Sequence, residues 1–486
     1  MLELADKTLL HSQAFINGKW IHNRNNNYID VINPATQTII GNVPELSDEE
    51  IDYAIDVAWN AFSYWKSLTS KERSEIMLKW YELVFENKDD LATILTTEQG
   101  KPIHEAKGEI EYSASFIRWY SEEAKRTYGD TIPAVANDQR VFTIKEPIGV
   151  CAALAPWNFP AGALLKKIPP ALAAGCTLVV KPSIQTPFTA LAFADLAHRA
   201  GIPAGVLNIV TGNSSHIANV LLNNPTIAKV SFTGSTDVGK SIYKQSAETI
   251  KKLSLELGGN APFIIFNDAD IDAAVEGTML SKFRHTGQTC ICANRVFVQD
   301  GIYDQYCEKL VNAVKKLKVG DGFDSGVSQG PLIDHKALEK VENHVNDAIS
   351  KGARVLIGGT RNQLGGTFYN PTVISDANES MLCFHEETFG PVAPLYKFTN
   401  EVDVIKLANK TPYGLAAYIY SSDVNRIFRV SEALEYGMVG CNTAAISSAN
   451  VPFGGIKESG FGKEGSYHGI DEYMNIKYIC IGNIQQ

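Results

Sequence analysis

Several things are missing from this sequence, and each absence excludes a class of protein. No apolar run approaches the ~18 residues that span a bilayer, so an integral membrane protein is not expected. The first thirteen residues carry neither a basic stretch nor an apolar core, so no signal peptide is visible. Positive charge is in deficit: 44 Lys and Arg stand against 54 Asp and Glu, a net charge of −10. An acidic surface repels nucleic acid phosphates and anionic membranes, which argues against both as partners. The eight cysteines are irregularly spaced and give no disulfide framework. Cys290 and Cys292 are separated by one residue, which is not a zinc spacing, and no second Cys or His pair completes a site, so no metal is expected. Solenoid repeats and low-complexity tails are also missing. Apolar residues at 45% and charged residues at 20% exclude global disorder. The expectation is a soluble, reduced, cytoplasmic protein in which any anionic ligand is captured by a local basic site.

What remains is ordered alternation. At about 150 residues per domain, the chain holds roughly three domains. Ser47 and Glu50 form a capping box, and Ile51, Ala54, Ile55, Ala58, Phe62 and Trp65 then recur at helical spacing. Further periodic segments cover about 71–85 and 103–120. Residues 130–147 read as an extended ribbon. From 148 to about 257, short apolar runs (148–155, 177–180, 206–210, 227–232) alternate with helical stretches (163–174, 187–200, 214–222). That pattern implies βαβ units and a parallel sheet, which binds ligands at the carboxyl ends of its strands. The style repeats from 258 to 450, with strands expected at 261–266, 295–298, 354–357 and 392–398. The segment 473–481 alternates like an edge strand. The fold class is therefore α/β.

Four local strings carry chemistry. Gly287-Gln288-Thr289-Cys290 places a cysteine among small and polar residues between a helix and a strand. Glu256-Leu257-Gly258-Gly259 puts an acid at the end of an apolar run, where two glycines let backbones approach closely. Asn158 lies between Pro156 and Pro160, on a stiff segment. Phe232-Thr233-Gly234-Ser235 ends a strand and opens a helix, whose first amides suit a phosphate, although the G-x-G-x-x-G fingerprint is lacking. Each has a plain alternative as a packed thiol or a turn.

At these spacings they resemble the NAD(P)-dependent aldehyde dehydrogenases. The resemblance runs from about residue 15 to the C-terminus. Its motifs are PWNFP at 156–160, VVKPS at 179–183, FTGS at 232–235, LELGGN at 255–260, GQTC at 287–290, EETFGP at 386–391 and PFGG at 452–455. The strings GQTCICAN at 287–294 and IKYICIG at 476–482 are similar to those of succinate-semialdehyde dehydrogenases. The implied architecture has a Rossmann-type cofactor domain (1–122 and 146–257), an α/β catalytic domain (258–450) and a small β oligomerisation ribbon (123–145 and 451–486). A homodimer or homotetramer follows from that ribbon.

The resemblance also implies roles. Cys290 is the nucleophile, Asn158 the oxyanion donor and Glu256 the general base that hydrolyses the thioester. Relatives that pass the acyl group to coenzyme A dispense with that base, so a free acid is the expected product. Lys181 would contact the adenosine ribose, Gly234, Ser235 and Gly239 the pyrophosphate, and Glu387 and Phe389 the nicotinamide riboside. Trp157 would line the cofactor channel. Strict NAD users commonly place a glutamate where Ile184 stands. Without that carboxylate, and with Ser183 and Lys181 beside it, use of both NADP and NAD is expected. Arg284 and Ser447 match two anchors of the semialdehyde carboxylate. Lys166 replaces a second arginine and keeps its charge without the bidentate geometry. Cys292 is a candidate redox partner of Cys290. The implied reaction is oxidation of succinate semialdehyde to succinate, in 4-aminobutyrate catabolism. Glutarate semialdehyde or a hydroxyaldehyde is the alternative substrate. A non-catalytic structural or binding protein on the same scaffold is the alternative of another class.

Overall fold

Ser47 opens the first long helix as its spacing predicts. Its hydroxyl accepts from the Glu50 amide at 3.4 Å, and the Glu50 carboxylate accepts from the Ser47 amide at 2.9 Å. The computed structural model describes residues 3–23 and 26–485. Four helices follow one another: α1 (Asp48–Ser67), α2 (Ser70–Glu86), α3 (Lys88–Gln99) and α4 (Ile103–Glu123). Their apolar faces bury Trp65, Trp80, Phe116 and Tyr120 completely, in one core with the first sheet.

That sheet has eight strands, in the order Gly460–Phe461, Lys252–Glu256, Ile227–Thr233, Val150–Leu154, Thr177–Lys181, Leu207–Ile209, Ala14–Ile16 and Lys19–Ile21. The five central strands are parallel, and the outer ones pair antiparallel. Chain order reverses direction between Val150–Leu154 and Ile227–Thr233, so a crevice opens beyond their carboxyl ends. A second sheet of seven strands takes the order Arg354–Ile357, Thr372–Ser375, Val392–Phe398, Ala293–Gln299, Ala261–Ile265, Ala416–Tyr420 and Met438–Cys441. Arg354–Ile357 is antiparallel to its neighbour and the other pairings are parallel. A third sheet joins Met474–Ile481 to Arg140–Pro147 and Thr131–Ile132. No helix among the described residues is long and apolar enough to cross a membrane.

Two expectations change. The helix expected over 163–174 is two helices, α5 (Pro160–Leu165) and α6 (Ile168–Ala174). Pro169 and Pro170 have no N–H for the carbonyls of Leu165 and Lys166, so the helix breaks. The break leaves Lys166 and Lys167 at the junction. The second change concerns 451–473, grouped by sequence with the ribbon. Gly460–Phe461 instead extends the first sheet beside Lys252–Glu256, and the Leu257 amide bonds to the Ser459 carbonyl at 3.0 Å. Met474–Ile481 is the part of the C-terminal region in the three-stranded sheet, at its edge. The remaining helices of the first lobe are α7 (Phe188–Arg199), α8 (Ser214–Asn223) and α9 (Thr236–Ser246).

Candidate active site

Three neighbouring strand ends of the first sheet converge on one place. Val150–Leu154 leads to Trp157 and Asn158, Ile227–Thr233 to Gly234 and Ser235, and Lys252–Glu256 ends in Glu256 itself. The second sheet supplies the opposite wall. Cys290 precedes its strand Ala293–Gln299, and Glu387 and Phe389 precede Val392–Phe398. A cavity of about 630 Å³ lies between them, lined by Cys290, Asn158 and Glu256 together.

The nucleophile loop has a forced conformation. His285 and Thr286 have φ of +54° and +55°, and Gly287 has +72°. Left-handed backbone at non-glycine residues costs on the order of 1–3 kcal/mol each and persists only when neighbours impose it. Here Glu105 of α4 imposes it by accepting the His285 amide at 2.9 and 3.2 Å. Gln288 is pinned as well, accepting from the Ile333 amide at 3.0 Å. A Cβ on Gly287 would stand 2.2 Å from the Gly390 carbonyl oxygen. Another on Gly259 would stand 2.6 Å from the Cys290 carbonyl oxygen, so this glycine admits the nucleophile's backbone.

Burial pushes the Cys290 thiol up to about 12, with Lys166 opposing. Asn158 is buried, and its amide donates to the Gln288 carbonyl at 3.0 Å. That bond uses one of its two N–H groups and leaves the other for a ligand. Glu256 is 3% exposed, and neither of its carboxylate oxygens has a hydrogen-bond partner among the described residues. Burial, then the Glu464 carboxylate, holds its acid well above the usual range, while Lys167, Lys166 and Lys463 oppose. Gly454 of the PFGG string makes room for it: a Cβ there would lie 2.8 Å from a Glu256 oxygen.

The three residues expected to bind the substrate also line the cavity. Arg284 points into it from the nucleophile loop, 5.8 Å from the Phe159 ring centre. Ser447 shares a 2.5 Å hydrogen bond with the Tyr112 hydroxyl. Lys166 is buried, with its ammonium 3.3 Å from the Phe453 ring centre and 3.9 Å from Glu464. Burial lowers its pKa, but Tyr112, Glu464, Cys290 and Glu256 together hold it above the usual value. Lys166 is therefore already engaged with the protein's own carboxylate.

The cofactor set divides. Trp157, Gly234, Ser235, Glu387 and Phe389 line the cavity, with Trp157 edge-on to Phe389 at 5.6 Å. Burial pushes Glu387 up to about 7. Ser235 caps α9 without a side-chain hydrogen bond, which leaves first-turn amides for an anion. Lys181, Ser183 and Ile184 lie outside the cavity, at the end of the next strand. The Lys181 ammonium donates to Ser214 at the start of α8, and burial pushes it down to about 8. The Ser183 hydroxyl accepts from the Gln185 amide at 3.2 Å, and Ile184 is half-buried. Gly239 lies near the start of α9. Its amide bonds to the Ser235 carbonyl at 3.0 Å, and its missing side chain accommodates Leu257, 2.4 Å from a Cβ there. Cys292 also lies outside the cavity, as a buried free thiol, and Cys290 is free too.

Sequence reasoning passed over Lys101, Glu105, Glu109, Tyr112, His285 and Glu464, all of which line the cavity. The four-residue spacing from Glu105 to Glu109 was a usable signal, since it marks one face of α4. Glu464 carried none.

A profile described as the aldehyde dehydrogenase family matches residues 20–479. The NADP(+) succinate-semialdehyde dehydrogenase of Escherichia coli strain K12 is 56% identical over 481 residues, covering 99% of this chain and all of that protein. A glutarate-semialdehyde dehydrogenase of Pseudomonas putida is 55% identical over 480 residues, with 99% and 100% covered. The crystal structure of a succinate-semialdehyde dehydrogenase from Burkholderia pseudomallei superposes with a TM-score of 0.98 at 53% identity, covering 99% of this chain and 100% of that one. With its two mostly parallel sheets facing across a half-buried cysteine and a buried asparagine and glutamate, the chain belongs to the aldehyde dehydrogenase family.

Proposed function

We propose that the protein oxidises succinate semialdehyde to succinate with NADP or NAD, in 4-aminobutyrate catabolism. The observation that carries this is the meeting of Cys290, Asn158 and Glu256 in one cavity, with Arg284 projecting into it. The Cys290 thiol gives up its proton to water, and its sulfur adds to the aldehyde carbon to form a tetrahedral thiohemiacetal whose oxygen carries the charge. The free N–H of the Asn158 amide, with the Cys290 main-chain amide, donates to the developing oxyanion, a contact typically worth ~10²–10³ in turnover. When bound, the nicotinamide supplies acceptance of the hydride that leaves this carbon, so that a thioester remains on Cys290. Glu256 then takes a proton from the water that attacks the thioester. The C–S bond breaks, the acid departs and the thiol is restored. A carboxylate with a raised pKa and no hydrogen-bond partner among the described residues suits that work.

Trp157, Ser235, Glu387 and Phe389 would hold the dinucleotide along the cavity, with Gly234 shaping the turn. Lys181, Ser183 and Ile184 would sit by its adenosine ribose. Ile184 offers no carboxylate to repel a 2′-phosphate, which supports dual cofactor use. Arg284 and Ser447 would hold the substrate carboxylate, with Lys166 adding positive charge. Because Lys166 is engaged by Glu464, glutarate semialdehyde is the second reading: its longer chain needs an anchor further from the sulfur. The first sheet and its helices are proposed as the cofactor domain, the second as the catalytic domain, and the third as the ribbon of a cytoplasmic homodimer or homotetramer. Exposed Ile476 and Tyr478 on its edge strand support that last role. Cys292 is proposed as the redox partner of Cys290: two thiols and one peroxide would give a disulfide and two waters. Absorbance at 340 nm across succinate semialdehyde, glutarate semialdehyde, lactaldehyde and a neutral aliphatic aldehyde, each with NAD and NADP, tests the reading. Indifference to the substrate carboxylate would remove the role of Arg284, and a complete failure of NADP would remove dual cofactor use.

A further inference from the structure

A charged pair in the cavity lining holds the main chain of the oxyanion donor. Lys101 and Glu109 form an ion pair whose side chains are 1% and 2% exposed. Burying such a pair gains little net stability, because desolvation offsets the attraction. Its placement therefore calls for another reason. The remaining hydrogen bonds and the ring contact of the two side chains fall on one five-residue segment. The Lys101 ammonium donates to the Asn158 carbonyl at 2.9 Å and lies 4.2 Å from the Phe159 ring centre. One Glu109 oxygen accepts the amides of Ala161 and Gly162 at 3.0 and 3.1 Å. The pair thus grips residues 158–162 at both ends, and the Asn158 amide crosses from there to Gln288 in the nucleophile loop.

We propose that Lys101 and Glu109 are positioning residues for the oxyanion donor: they hold the Asn158 main chain so that its free N–H faces the Cys290 sulfur. This rests on Asn158 being the donor. A displacement of about 1 Å in such a group costs ~10²-fold in rate.

The test is hydrolysis of p-nitrophenyl acetate by the full-length protein without dinucleotide. In that reaction the Cys290 sulfur forms a bond to the acetyl carbon, nitrophenolate leaves, and water releases acetate. The intermediate carries an oxyanion, so the result does not depend on which aldehyde is oxidised. Lys101→Met should lower turnover about 10- to 100-fold with KM little changed, and aldehyde oxidation should fall by the same factor. Combined with Asn158→Ala, it should cause less than about a twofold further loss, since there is no donor left to position. Should Lys101→Met not fold, Glu109→Gln carries the same expectation of non-additivity, and Lys101→Arg should retain most of the turnover. An equal loss from Lys101→Met with and without Asn158 would overturn this inference alone. No loss from Asn158→Ala in ester hydrolysis would overturn the donor assignment along with it.

Discussion

Glu98 and Glu256 are both buried glutamates, and burial raises the pKa of each, yet they do opposite things. Glu98 ends up at about 8, and its two oxygens accept the amides of Phe188 and Thr189 at 2.7 and 2.9 Å, where α7 begins. Glu256 is pushed well above its usual range and its oxygens accept nothing among the described residues. Glu98 completes a helix start that would otherwise leave amides unsatisfied. Glu256 faces a cavity. Burial alone therefore does not mark an active carboxylate; burial with idle oxygens beside open space does.

Substitutions at the two glutamates test this difference. The largest effect is expected from Glu256→Gln, a loss of ~10²–10⁴ in kcat with the melting temperature unchanged or raised. Steady-state kinetics and calorimetry on one preparation read both. Glu98→Ala should do the reverse, costing about 1–3 kcal/mol for each amide left unpaired while kcat in the surviving folded enzyme stays within about twofold. A large fall in kcat there would erase the distinction.

Two pH experiments follow, with somewhat smaller effects. Folded Glu98 keeps its proton up to about 8, whereas the unfolded chain loses it near 4.5. Between those values the native state binds more protons, so this group's contribution to stability falls as pH rises. Glu98→Gln should flatten that slope in denaturation midpoints measured from pH 5 to 8. In catalysis, Cys290 near 12 and the raised Glu256 both need to lose protons, so kcat/KM should climb through neutral into alkaline pH. Lys166→Met should move the climb to higher pH, because Lys166 opposes the rise of the thiol. An unmoved profile would remove Lys166 from that role. The smallest expected effect is Lys166→Arg, a KM for succinate semialdehyde lower by about threefold to tenfold, or about 1 kcal/mol from a further charged hydrogen bond.

Much of this was legible in the chain. The capping box at Ser47 and Glu50 is local, and local chemistry survives translation into structure. The parallel strands announced themselves through short apolar runs between helices. The PWNFP, LELGGN, GQTC and EETFGP strings meet in one cavity. What was hidden depends on partners far apart along the chain. Lys101 meets Asn158 across 57 residues, and Lys167 meets Glu464 across 297. Nothing around Lys166 foretold that a cation matched to a substrate anchor would lie over the Phe453 ring and beside Glu464. The helix break at Lys166 was readable from Pro169 and Pro170, but the apolar periodicity of 163–174 masked it. Nor did the sequence show that Gly239 admits the close approach of Leu257.

The absent side chain at Gly259 has a further consequence. It lets the base-bearing strand and the nucleophile loop touch backbone to backbone, so the distance between sulfur and carboxylate is metered by a missing methyl group. Redesign toward bulkier aldehydes cannot borrow room along that seam. Room is to be sought elsewhere in the lining, where Tyr112 and Ser447 join through their side chains.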